Sequence, residues 1–336
     1  MKVELVIHPK FKQLELSTQI IIAEALKRKV HVELLDESAN FIRLSRGNHV
    51  EYIEAATKTS HDSYIIHRIL ENKQATKILL REQKIAVPEG RQYSSLEEAL
   101  ADFDYLSSLK KIVVKPKTTN CGIGIEILPE QFSRNDLEKA MNRAFQFDPY
   151  VLVEQFFAGL ECRFLVIKGK CVAVLNRVPA YVIGDGNHTI TELVAIANRD
   201  PRRGHGYKTP LEFIRLDQTE KEELLAQNLS VESIPDNGKQ IFLRKNSNIS
   251  TGGVSIDYTD IVDASYKKMA EKAVRTIGAQ ICGVDMIAQA FKQPLNPLNY
   301  TILELNSNPV LYFHNFPYQG QNRHVEREIL DLLDFP

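Results

Sequence analysis

Apolar and polar positions along the chain follow two periods, and switches between them mark the elements. Residues 3–7 alternate as a strand. Ser17 or Thr18 then caps a helix that carries Ile21, Ile22, Ala25 and Leu26 on one side and ends in Lys27, Arg28 and Lys29, where cations favour the helix dipole. Residues 30–36 form the next strand, completing a βαβ unit. Residues 41–44 and 49–54 flank Arg46-Gly47-Asn48, a hairpin signal. No chemistry is readable in this first lobe.

Residues 62–84 have a helical period, which Val87-Pro88 ends. Ser94 and Ser95 stand three residues before Glu97 and Glu98, two overlapping capping-box patterns that open a helix to Phe103. Residues 111–116 are a buried-type strand ending in Lys115-Pro116, followed by a polar loop with Asn120, Gly122 and Gly124 and a short strand over 125–128. A helix over 135–147, strands over 150–156, 162–167 and 171–177, and a capping box from Thr189 to Glu192 come next. Residues 200–262 are rich in loop signals, and a loop of that length in a domain is more often functional than idle. An amphipathic helix over 265–280 leads to two apolar strands and a last helix ending near Leu333. Helices and strands intermix with frequent hairpin-type links, so the predicted class is α+β, built of α/β lobes.

The two late strands carry the most pointed polar residues. Thr301, Ile302, Leu303 and Leu305 are β-formers, and side chains alternate, so Glu304 and Asn306 share one face. A carboxylate and an amide oxygen are hard donors that suit Mg²⁺. Taken alone, the pair reads more readily as a solvated strand face. Asp285 sits within Ile281-Cys-Gly-Val-Asp-Met-Ile-Ala, where an unpaired carboxylate is costly. If the two strands are neighbours, Asp285, Glu304 and Asn306 converge.

Composition narrows the class without naming a chemistry. The 336 residues allow about two domains. A formal net charge of −1 with scattered Lys and Arg gives no footprint for nucleic acid or an anionic membrane. Cys121, Cys162, Cys171 and Cys282 lack CxxC spacing and read as reduced thiols of a cytoplasmic protein. No apolar run approaches the roughly 20 residues that span a bilayer.

Carboxylate-held Mg²⁺ commonly accompanies nucleotide phosphates. GxxxxGK[ST], GxGxxG and the HRD and DFG pair are all missing, which excludes P-loop, Rossmann and protein-kinase grips. What remains is Lys115 feeding a loop whose N–H groups can form an anion nest. Lys115 with that loop, Glu154-Gln-Phe-Phe157, Glu161, and Asp285 with Glu304-Leu-Asn306 together resemble the ATP-grasp superfamily. Glu71-Asn-Lys73-Gln-Ala-Thr-Lys77, Asn246-Ser-Asn-Ile-Ser-Thr-Gly-Gly253 and Phe316-Pro-Tyr-Gln-Gly320 are similar to the glutathione-synthetase module of bacterial bifunctional γ-glutamylcysteine synthetase/glutathione synthetases. The resemblance runs from about Glu15 to Leu333.

It implies a pre-ATP-grasp lobe over 1–70, a small lid subdomain over 71–150 and a large subdomain over 151–336. Lys73, Lys115, Asn120, Gly122 and Gly124 would take ATP phosphates. Glu154, Phe156 and Phe157 would form the hinge against adenine, and Glu161 would accept from the ribose. Asp285, Glu304 and Asn306 would hold two Mg²⁺, with Mn²⁺ as a substitute. Arg177 and Arg244 would steady the acyl phosphate and its tetrahedral adduct. Arg163, Arg203, Asn248, Gly252 and Asn308 are the substrate-side candidates. His314 reads as structural rather than as a base.

The implied activity is an ATP-dependent carboxylate–amine ligase, with γ-glutamylcysteine and glycine as the specific expectation. A cyanophycin-like or natural-product peptide ligase is the alternative within that chemistry, and an inactive nucleotide-binding regulator the alternative outside it. The module normally follows a fused γ-glutamylcysteine synthetase, and none is recognisable in this sequence. The expectation is therefore either a separate γ-glutamylcysteine-forming enzyme that supplies the dipeptide, or an acid other than γ-glutamylcysteine. A homodimer is the default oligomer.

Overall fold

The computed structural model describes residues 8–119 and 124–336. The expected strand over 3–7 and the loop residues Asn120 and Gly122 lie outside them. Helix α1 (Leu16–Lys27) starts earlier than its Ser and Thr suggested: Glu15 is the N-cap, and Ser17 and Thr18 are buried inside the helix. Leu16 is itself buried, and its place in the core carries the first turn past the polar pair. Strands β1 (His31–Asp36), β2 (Phe41–Arg46) and β3 (His49–Glu54) form an antiparallel meander, with the hairpin turning at Gly47.

The single helix expected over 62–84 is two, α2 (Tyr64–Glu71) and α3 (Lys73–Glu82). Asn72, extended at φ −97° and ψ 92°, breaks the run and caps the second helix by accepting from Ala75 N–H at 3.1 Å. This cap fixes where Lys73 and Lys77 point. Asn72→Ala is expected to lower stability by about 1 kcal/mol, measurable as a lower urea midpoint at unchanged slope.

A four-stranded sheet follows, in the order β4 (Gly90–Tyr93), β7 (Val151–Gln155), β5 (Ile112–Pro116), β6 (Glu126–Leu128). Helices α4 (Leu96–Ala101), α5 (Phe103–Ser108) and α6 (Arg134–Phe145) cover it, burying Leu106, Leu137 and Met141 against Val114 and Val153. Ser95 caps α4 as the sequence suggested. Strand β7 pairs with β4 and β5, so it completes this sheet rather than the next.

The second sheet has five strands: β14 (Val254–Asp257), β9 (Lys170–Val178), β8 (Leu160–Ile167), β15 (Ile281–Ala288) and β16 (Tyr300–Asn306), in that order and all antiparallel. Between β9 and β14 the supposedly loop-rich region contains α7 (Ile190–Ala197), paired strands β10 (Tyr181–Ile183) and β13 (Gln240–Phe242), the short pair β11 (Arg203–Gly204) and β12 (Leu211–Glu212), and helix α8 (Gln218–Ala226). Sequence reading missed α8 because it is mostly polar, burying Leu224 and Glu220 while Leu225 stays exposed. Asp217 and Glu220 make its capping box.

Strand alternation sorts the faces of this sheet. Phe164, Val166, Val284 and Met286 face helix α9 (Ala264–Ile277), which buries Tyr266, Ala270 and Val274 against them. Leu165, Ile167, Leu175 and Ile281 face the other way, onto α1, α10 (Tyr312–Asn315) and α11 (Val325–Leu332). Continuing along that second face, the apolar residues give way to Arg163, Arg177, Asp285, Glu304 and Asn306. The helices cover one end of the face, and the other opens to a cleft. Among the described residues no helix is long and apolar enough to cross a membrane.

Candidate active site

Register places the charged residues side by side. Arg163 on β8 lies opposite Asp285 on β15, and Asp285 lies opposite Glu304 on β16. A bulge just beyond Asp285 shifts the pairing by one residue, as bulges beside sites often do. Arg163 Nε and Nη2 each donate at 2.6 Å to the two oxygens of Asp285, a bidentate fork, and Arg177 Nη1 adds a third bond at 2.9 Å. Asp285 is only 2% exposed. Burial alone would raise its carboxyl, but Arg163 and Arg177 hold it well below the usual range.

Arg177 ties this floor to the 246–253 loop. It donates from Nη2 to Asn248 Oδ1 at 2.7 Å and from Nε to the Ser247 carbonyl at 3.3 Å, and it stands 3.3 Å from Glu161. The Ser247 hydroxyl also donates to Glu161. Sequence reading did not single out Ser247. The loop turns tightly at Gly252, whose φ of +93° and Cβ position 2.7 Å from Ile214 Cα admit only glycine comfortably. Arg203 braces the loop from behind, donating to the carbonyls of Glu212 at 2.7 Å and Gly252 at 3.2 Å. Asn308 accepts from the Thr57 hydroxyl at 3.1 Å, linking the loop after β16 to the first lobe. Arg244 stands differently: its Nε donates to the buried Glu220 of α8.

The opposite wall holds the lysines. Lys73 Nζ donates to the Thr119 carbonyl at 3.1 Å and lies 3.9 Å from Glu304. Lys115 Nζ lies 2.7 Å from one oxygen of Glu154, and Lys77 Nζ donates to the other. Glu154 is 4% exposed, so its side chain points into the protein. Backbone N–H groups of Gln155 and Phe156 donate to Glu89 at 2.7 Å and Lys111 at 2.8 Å, which commits two of the groups expected to read adenine. Phe156 is half-buried under the Lys111 ammonium, 4.1 Å from its ring centre, and Phe157 is also half-buried. Gly124 packs at the base of the loop, against Pro116 and Phe147. Lys77 is the site residue whose role sequence reading missed; its apolar surroundings on α3 were the available signal.

Burial would raise Glu154, but Lys115 and Lys77 outweigh it and bring the carboxyl down to about 2 from 4.5. A depressed carboxyl contributes stability that is complete above its unfolded pKa and is lost as pH falls through the folded one. Acid unfolding of the wild type should therefore steepen between pH 4.5 and about 2 relative to Glu154→Gln, read by circular dichroism. His314 is fully buried and pushed down to about 3 by burial, which suits a structural role. Cys162 and Cys282 are buried with raised thiol pKa values, so they are poor nucleophiles.

The donor set suits a hard cation. Asn306 Nδ2 stands 3.3 Å from Asp285 Oδ2 and 3.4 Å from Glu304 Oε1, and an amide rotated by half a turn puts its oxygen at the same place. Two carboxylates and one amide oxygen thus converge, the ligands that Mg²⁺ or Mn²⁺ prefer. Glu304 and Asn306, with the facing Lys73, Lys117, Arg163, Arg177 and Asn248, line a cleft of about 1070 Å³, and the buried Asp285 is bonded to the two arginines of that lining.

The chain is similar to known proteins. The ATP-grasp-like domain family matches residues 12–65. Over 323 residues the chain is 51% identical to the glutathione biosynthesis bifunctional protein GshAB of Clostridium perfringens, covering 96% of this chain and 41% of that protein. The GshAB protein of Enterococcus faecalis is 44% identical, with 96% and 43% covered. A bifunctional glutathione synthetase from Pasteurella multocida superposes with a TM-score of 0.75 at 41% identity, covering 97% of this chain and 45% of that one. The chain has the α+β ATP-grasp fold. It spans about two fifths of the length of the curated relatives it matches. In this fold the charged constellation lies on the antiparallel five-stranded sheet, with Lys115 on the four-stranded one and Lys73 and Lys77 on α3.

Proposed function

We propose that the chain is a glutathione-synthetase module that joins γ-glutamylcysteine to glycine with ATP, giving glutathione, ADP and phosphate. The carrying observation is that Glu304 and Asn306, next to the buried Asp285 and its two arginines, share one cleft with Lys73 in a chain 51% identical to a glutathione-biosynthesis protein. Lys73 and Lys115 bring positive charge to the nucleotide phosphates, and Glu161 is the ribose candidate. Asp285, Glu304 and Asn306 would hold Mg²⁺, which neutralises phosphate charge when bound.

The cysteinyl carboxylate attacks the γ-phosphorus, ADP leaves, and the glycine amine displaces phosphate from the acyl phosphate. These steps need alignment and charge neutralisation more than covalent help. Arg177, which lines the cleft, is the candidate for stabilising the tetrahedral oxyanion. Arg163 orients Asp285 through its fork. Arg244, held by Glu220, serves the α8 region instead. The relatives are bifunctional by name, so the dipeptide would come from a γ-glutamylcysteine-forming activity, in the same polypeptide or a separate one.

ADP release with Mg²⁺, ATP, γ-glutamylcysteine and glycine, set against other acid–amine pairs, tests this reading. ADP formed only with another pair overturns glutathione as the product. No ADP with any pair overturns the ligase.

A further inference from the structure

Lys77 stands one helical turn beyond Lys73 on α3, yet it is only 2% exposed. Its ammonium donates to Glu154 Oε1, while Lys115 lies 2.7 Å from Oε2. Gly90 on β4 packs so closely that a Cβ there would stand 2.7 Å from Glu154 Cα and 2.9 Å from its Cγ. The carboxylate is thus confined by three elements, with both oxygens committed. Two ammoniums share one buried carboxylate, so the fully ionised cluster carries one net positive charge. Other charges around Lys77 are Arg81 on its own helix, and Lys73 and Glu304, which line the same small void between α3 and β16. From α9, packed on α3, Lys272 donates to the Gln83 carbonyl at 2.9 Å.

We propose that Lys77 is a positioning residue of the nucleotide site: without touching the nucleotide, its proton sets the net charge of the Glu154–Lys115 pair and makes nucleotide affinity depend on pH. The proposal rests on reading the cleft as an ATP site. Burial, aided by the like charge of Lys115, lowers Lys77 to about 7 against the pull of Glu154. Burial would lower Lys115 as well, but there Glu154 outweighs it and Lys115 is raised. Of the two lysines, Lys77 is therefore the one that loses its proton near neutrality. A polyphosphate is attracted by the extra charge, so its binding holds that proton more firmly. By linkage, nucleotide binds more tightly below the titration of Lys77, weakens as pH rises through it, and takes up a proton as it binds.

The test is ADP binding to the full chain by titration calorimetry, on both sides of neutrality and in buffers of different ionisation enthalpy. The wild type should take up a fraction of a proton near pH 7 beyond that of Lys77→Met, and its affinity should fall roughly threefold to tenfold more steeply with pH; one unit of pKa shift corresponds to about tenfold. The titration of ADP itself is common to both proteins and cancels. Lys77→Arg, which keeps its charge, should bind tightly at every pH without the extra uptake, and it carries the comparison if Lys77→Met fails to fold. Equal proton uptake in wild type and variant overturns the role of Lys77. A wild type that does not bind ADP overturns the nucleotide reading itself, a different and recognisable failure.

Discussion

Asp285→Asn is expected to abolish turnover and to destabilise the fold. Asp285 is the shared partner of Arg163 and Arg177, all within the sheet and almost without solvent. Removing the negative charge leaves two guanidiniums facing each other across a neutral amide, and its NH₂ can only oppose one of them. Breaking a buried pair from one side typically costs about 3–5 kcal/mol. Urea denaturation should show a midpoint lowered accordingly, alongside loss of ADP release. An unchanged midpoint would mean that the arginines find other partners and that Asp285 is not the centre of the cluster.

Glu304→Gln separates chemistry from stability. Its side chain is about a third exposed, and beside Asp285, which lies opposite on β15, it meets Lys73 at 3.9 Å and the Asn306 amide at 3.4 Å, both weak contacts. Folding should therefore be nearly unaffected, since exposed pairs contribute little. Turnover should fall on the order of 10²–10³-fold, the usual scale for losing one charge-stabilising group in a water-excluded site. Half-maximal rate should also require more Mg²⁺. Near-normal kcat at ordinary Mg²⁺ would remove Glu304 from the ligand set.

The contrast between these carboxylates shows what the sequence could convey. Strand alternation put Glu304 and Asn306 on one face, and the apolar run around Asp285 marked it as unusual; both are local signals with a period of two. That Asp285 is held by Arg163 and Arg177 was not legible, because cross-strand register between residues 122 and 108 positions apart leaves no local trace. The same holds for Glu154, whose place in a hinge-like segment suggested adenine, whereas the sheet turns its side chain inward between two lysines. Arg244 looked catalytic by its nearness to the Asn248 loop, and its commitment to Glu220 depends on α8, a helix too polar to betray itself by periodicity. Most strands, the Ser95 cap and the capping box at Thr189 were readable since turn chemistry and alternation are local. Asn72, which splits one predicted helix into two, was readable only as a cap inside an otherwise helical pattern.

The central claim is that a carboxylate is activated as an acyl phosphate in the cleft between the lysine wall and the Asp285 sheet. It is tested most directly by single-turnover reaction of glycine and ATP with γ-glutamylcysteine carrying ¹⁸O in its cysteinyl carboxylate. Mass spectrometry should find one ¹⁸O transferred to inorganic phosphate for each glutathione formed. Unlabelled phosphate alongside product would contradict the acyl-phosphate route.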